Sequence, residues 1–158
     1  MSELKDVVYY ICQNYPIKSE LSKARLTKLV YLADWEYCVE KGQQMTGIKW
    51  YFHNFGPYVD DVIAVARKEN IFHVEQTKNT YGDVKELISV SDSSFIPNLY
   101  DDEKSIIDVV IRDTKSMYWK RFIEHVYATK PIKTSDRYSE LDLIAISKNS
   151  RGEPRIEG

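Results

Sequence analysis

The stretch Leu26-Thr27-Lys28-Leu29-Val30-Tyr31-Leu32-Ala33-Asp34-Trp35-Glu36-Tyr37 decides the fold class. Leu26, Leu29, Val30, Ala33 and Tyr37 recur at helical spacing, and Tyr31, Leu32, Trp35 and Val39 do the same on the opposite side. A helix with apolar residues on both sides belongs in the middle of a domain. The pattern predicts this helix over residues 20–41, with Ser19 as its cap and Gly42 as its stop. One carboxylate, Asp34, interrupts it.

Upstream, Leu4, Val7, Val8, Ile11 and Cys12 predict a first helix over residues 3–15, with Ser2 as cap and Pro16 just beyond its end. Downstream, Met45-Thr46-Gly47 predicts a turn. It leads into the aromatic run Trp50-Tyr51-Phe52-His53-Asn54-Phe55-Gly56-Pro57-Tyr58. Residues 48–53 read as extended, and Pro57 suits the first turn of a third helix that runs to Glu69. Residues 71–76 and 84–90 predict a hairpin with Phe72, Val74 and Leu87 facing inward. Asp101 is the expected cap of a helix to Thr114. A further helix, Ser116 to Ala128, is expected to stop at Pro131. Leu141 to Ile146 is too short an apolar run to assign by periodicity. The expected fold is α+β: one predominantly helical domain over residues 1–146 with a small antiparallel β-hairpin, followed by a polar tail, 147–158.

Composition narrows the function classes. The 158 residues are 43% apolar and 29% charged, which fits a globular chain with one core. The net charge of −2 lacks the basic excess of a dedicated nucleic-acid binder. Lys18, Lys23, Arg25 and Lys28, and then Lys115, Lys120, Arg121, Lys130 and Lys133, read as solvated helix faces. Cys12 and Cys38 are too few for a disulfide framework or a zinc site, and their apolar context predicts buried free thiols. With no apolar run long enough to span a bilayer and no signal region, a cytoplasmic protein with no membrane partner is expected.

No catalytic motif stands out. His53, His73 and His125 fall in no metal-binding spacing, and no phosphate loop or nucleophile elbow occurs. No cofactor, metal or enzymatic activity is expected. A hydrolase built on Asp34 would need one of those histidines within hydrogen-bond reach. The expected role of Asp34 is structural instead. A carboxylate amid Leu, Ala, Tyr and Trp is costly unless satisfied. Residues three and four positions away on its helix are Val30, Tyr31, Tyr37 and Cys38, so its partner must come from elsewhere. The free N–H groups after Gly56-Pro57 are one candidate, making Asp34, Gly56 and Pro57 a clamp.

Three segments carry a family resemblance: Lys28-Leu29-Val30-Tyr31-Leu32-Ala33-Asp34, then Thr46-Gly47, then Tyr51 to Phe55 with Gly56-Pro57. In this order and spacing they resemble the Panacea domain of the SocA-like antitoxin family. His125 ahead of Thr129-Lys130-Pro131 is similar to that family's closing helix. The resemblance covers roughly residues 5–135. It implies an antitoxin of a toxin–antitoxin system that neutralises a cognate toxin by direct binding. An alternative is a proteolytic adaptor delivering a toxin to a ClpXP-type protease, or a phage-associated protein of another role. An aromatic interface would then draw on Trp35, Trp50, Tyr51, His53 and Tyr58, since fixed aromatic anchors are common hot spots. The rival reading packs all five into the core.

Overall fold

A computed structural model describes residues 1–78 and 80–149. Its seven α-helices and small antiparallel sheets form a helix-dominated α+β domain. Helix α1 spans Leu4–Asn14, and α2 spans Lys23–Lys41. Strands β1 (Trp50–His53) and β2 (Gly56–Pro57) follow, then α3 (Asp61–Lys68). The hairpin is β3 (Phe72–Lys78) and β4 (Val84–Val90). Helices α4 (Asp101–Thr114), α5 (Trp119–Tyr127) and α6 (Lys130–Thr134) lead to β5 (Glu140–Leu141) and α7 (Leu143–Lys148).

Helix α2 is the axis of the molecule. It packs against α1, α3, α4, α7 and β4, which is why its apolar residues go all the way round. Its N-terminus is three residues later than the sequence pattern predicts from Ser19: a single 3-10 turn fills Lys18–Glu20, and Ser22 caps α2 by accepting from the Arg25 amide at 3.2 Å. Gly42 closes it in the left-handed conformation, φ 77°, as expected.

The sheets are small. Strand β1 lies between β2 and β5, with Phe52 opposite Pro57 and Trp50 opposite Leu141. The Gly-Pro pair therefore ends a tight β-turn rather than starting α3, which begins four residues later at Asp61. Gly56 makes this possible with φ 100°. In the hairpin, Phe72 faces Val90 and Val74 faces Ile88, so Ile88 is the buried residue of β4. The predicted inward Leu87 pairs with Glu75 on the other face, because strand side chains alternate.

Two other boundaries differ from expectation. Pro131 does not stop α5. It sits in the first turn of α6, where a missing N–H costs nothing. Tyr100 rather than Asp101 precedes α4, and Glu103 accepts from the Tyr100 amide at 2.8 Å. Residues 147 and 148, expected to begin the tail, complete α7, and Ser147 is buried. The rest of the predicted tail from residue 150 lies outside the described residues. Cys12 and Cys38 are buried free thiols.

Candidate functional site

The motif helix is tied to the rest of the molecule at three levels, and each uses a different residue of α2. At its C-terminal end, Asp34 is fully buried and its carboxylate is held by the segment after the helix. The Thr46 amide donates to it at 2.9 Å, the Thr46 hydroxyl at 2.6 Å and the Trp50 indole at 2.8 Å. Gln44 Nε2 adds a longer contact at 3.3 Å while also bonding the Thr46 and Ile48 carbonyls. Burial pushes the Asp34 carboxyl up to about 6, against the pull of the Thr46 and Trp50 donors.

The clamp expected between Asp34 and the Gly56-Pro57 turn is thus replaced by one between Asp34, Thr46 and Trp50. The physical reason is proximity. The chain doubles back directly after Gly42, so the turn at residues 43–49 reaches Asp34 before the Gly-Pro turn can. The donors that reach Asp34 come from Gln44, Thr46 and Trp50 and not from a histidine, which is the geometry a hydrolase reading would need.

At the middle level, Tyr31 shares a 2.7 Å hydrogen bond with the Thr129 hydroxyl, which also donates to the Val126 carbonyl. The Tyr31 ring meets the Trp50 ring edge-on, with centroids 5.5 Å apart. This joins the motif helix to the Thr129-Lys130-Pro131 segment, which sequence spacing alone links only loosely.

At the N-terminal level are two basic residues, Arg25 and Lys28. Sequence reasoning treated them as solvated, yet they are only 3% and 2% exposed. Both lie in register with Leu32 and Trp35, at alternating intervals of three and four, so one stripe of the helix face runs through all four, and Leu21 stands four residues before Arg25, ahead of the helix. That spacing is the signal that would have marked them as buried. Arg25 is well served. It donates to the Tyr15 hydroxyl and the Met117 carbonyl, each at 3.0 Å, pairs with Glu20 at 3.6 Å and stacks over the Phe122 ring at 4.5 Å.

Lys28 is not served in this way. Its one close electrostatic neighbour is the Tyr58 ring, 5.9 Å from Nζ. No described carboxylate pairs with it, and burial alone pushes its ammonium down to about 8. The Gly-Pro turn lies over its stem. A Cβ on Gly56 would come within 3.8 Å of Lys28 Cε and within 3.2 Å of the Tyr127 ring. The turn thus meets the motif helix at Lys28, not at Asp34.

Lys28 lines a groove of about 920 Å³. One wall is α2 at Lys23 and Ala24, and the opposite wall is the turn carrying His53, Phe55 and Tyr58. Trp119 and Val84 also line it, and they border a second hollow of about 550 Å³ that Tyr118 lines as well. Large apolar side chains stand exposed around it: Phe55 is 76% and Trp119 45% accessible. A groove rimmed by exposed aromatic side chains has the character of a contact site.

The five expected interface residues divide between core and surface. Trp35 and Trp50 are buried in the core, 5% and 1% exposed, and neither lines the groove. Trp50 is held inward by its bond to Asp34. His53 is exposed and Tyr51 and Tyr58 are partly so. His53 lies edge-on to Tyr51, Tyr58 and Tyr138, at centroid distances of 5.8, 6.5 and 6.3 Å. Phe55, Trp119 and Lys28 were not among the residues expected at an interface, because their placement depends on the turn and on α5 rather than on any local pattern. Among the described residues, no three His, Cys, Asp or Glu side chains gather as a metal site, and no helix is long and apolar enough to cross a membrane.

No curated protein and no solved structure is a significant match to the chain. A family model described as "Antitoxin SocA-like, Panacea domain" matches residues 26–131. That span begins at the first residue of the quoted motif helix, runs through the Thr46-Gly47 and Gly56-Pro57 turns and ends at Pro131, so it holds the Asp34 and Tyr31 ties and Lys28, while Arg25 and its partners Tyr15 and Glu20 precede it. The chain belongs to the SocA-like antitoxin family, whose Panacea domain it carries.

Proposed function

We propose that this protein is the antitoxin of a toxin–antitoxin pair and neutralises its toxin by binding it directly. Family membership over residues 26–131 is the observation that carries this reading. The exposed aromatic rim around the Lys28 groove supports a binding role, because rigid aromatic side chains give large contact area at low entropic cost. We read the protein as a binder and not as an enzyme, acting in the cytoplasm on a protein partner.

The test is co-expression with the small protein encoded beside it. Growth arrest by that neighbour should be relieved, and the two proteins should co-purify as a stable complex. Persistent arrest with both proteins present would end the proposal. The family's SocA namesake keeps a second route in view, delivery of the toxin to a ClpXP-type protease. Toxin half-life in protease-deficient cells separates the two: simple blocking leaves it unchanged, whereas an adaptor shortens it only when the protease is present.

A further inference from the structure

Lys28 presents an unusual combination. Its side chain is 2% exposed, yet it lines an open groove and has no acidic partner among the described residues. A buried cation is ordinarily paired, as Arg25 is, three residues earlier on the same helix. The neighbouring charges do not serve Lys28. Lys23 pairs with Glu86, Glu86 with Arg67, and Asp60 acts on the Tyr58 hydroxyl, whose titration it raises. The Tyr58 ring supplies only a quadrupole at 5.9 Å. The shape of the site depends on Gly56, since a Cβ there would crowd the Tyr127 ring at 3.2 Å and touch the Lys28 stem at 3.8 Å.

Resting on the antitoxin reading, we infer that this groove is the toxin-recognition site. It takes an Asp or Glu side chain from an exposed loop of the toxin, which pairs with Lys28 while flanking apolar residues rest on Phe55 and Trp119. Charge selects this occupant. Asp60 and Asp83 share the groove lining with the unpaired ammonium and disfavour a polyanion such as nucleic acid, so the single positive site matches one carboxylate. Pairing there replaces a missing interaction rather than competing with an internal one. The interface therefore gains from the partner's acid what the free protein lacks.

Two arms test this. In the first, wild-type protein, Lys28→Met and the exposed control Lys133→Met are each co-expressed with the neighbouring toxin. Wild type and Lys133→Met should rescue growth equally, with toxin affinity at least tenfold weaker for Lys28→Met, although that variant stays folded. If wild type fails to rescue, the antitoxin reading falls. If wild type and Lys28→Met bind the toxin equally, the groove proposal falls and the antitoxin reading stands.

The second arm needs no toxin. The labelled protein is titrated at neutral pH with the end-capped peptide Gly-Leu-Glu-Leu-Gly and with its Gln counterpart, observed by amide and indole NMR. The Glu peptide should shift Ala24, Phe55 and the Trp119 indole, with binding at least tenfold weaker for the Gln peptide and for Lys28→Met. Equal response to both peptides, or none at the groove, overturns the proposal. So does a wild-type dimer in light scattering that Lys28→Met dissociates, since the occupant would then be a second copy of this chain.

Discussion

Asp34 and Lys28 sit six residues apart on one helix, both titratable and both buried, yet they are treated in opposite ways. Asp34 is surrounded by donors from Thr46 and Trp50 within 2.9 Å. Lys28 has an aromatic face and an open groove. A satisfied buried charge holds a structure together. An unsatisfied one costs stability and is retained where something else needs it. On the proposed reading, the contrast separates the part of the family motif that builds the scaffold from the part that meets the toxin.

The largest expected effect breaks the Asp34 side of this contrast. Asp34→Ala leaves the Thr46 and Trp50 donors buried without an acceptor and should destabilise the fold by about 3–5 kcal/mol, read from denaturant unfolding. An unchanged melting temperature with lost toxin binding would mean that Asp34 is not a clamp at all.

Lys28→Met should move stability the other way. An ammonium lowered from 10.5 to about 8 opposes folding, and removing it should stabilise the protein at pH 7 by up to about 3 kcal/mol. The sign follows from linkage. Between the folded value of about 8 and the unfolded value of 10.5, the unfolded chain holds more protons, so wild-type stability rises with pH. The advantage of Lys28→Met should therefore shrink across that window and be absent above it.

Asp34 titrates with the opposite slope. Its carboxyl is raised from 3.8 to about 6, so the folded protein holds more protons over that interval. The pH-dependent part of its contribution is fully present below 3.8 and is lost as pH rises through 6. Together the two groups predict a shallow stability minimum between pH 6 and 8. A pH series of unfolding curves should show Asp34→Ala removing the acid limb and Lys28→Met the alkaline one.

Smaller effects sharpen the comparison at the groove. Gly56→Ala forces a side chain into φ 100° against Tyr127 and should cost about 1–3 kcal/mol by thermal melting while weakening toxin binding. Thr129→Val removes the bond to Tyr31 and should cost about 1 kcal/mol by the same measurement, leaving the toxin affinity unchanged.

The legible parts of this chain were those set by local periodicity. The two-sided apolar pattern placed α2 at the centre, and Gly42 marked its end. What stayed hidden depended on where separate segments meet. That Asp34 needs a partner follows from the residues around it, but the partner lies in a turn with no pattern of its own. Pro57 has the right backbone angle for a helix start, and only the positive φ of Gly56 turns it into strand β2 instead. Lys28 was concealed by its charge. Basic residues near a helix start are ordinarily solvated, and only its alignment with Leu32 and Trp35 points inward. Phe55 and Trp119 carry no local sign of their shared groove, because they come from a turn and a helix start 64 residues apart.

The placement of β5 has a bearing on how the chain reaches this fold. The family-matched span ends at residue 131, before Glu140–Leu141 close the outer side of β1 and before α7 packs on α2. Helix α1 lies before the span begins. A nascent chain that has emerged only as far as the matched span carries β1 with an open edge and α2 with one flank bare. That half-built state is the one most exposed to mispairing. A fragment cut to the matched residues should therefore aggregate, and productive folding during synthesis must wait for the last strand and helix to arrive.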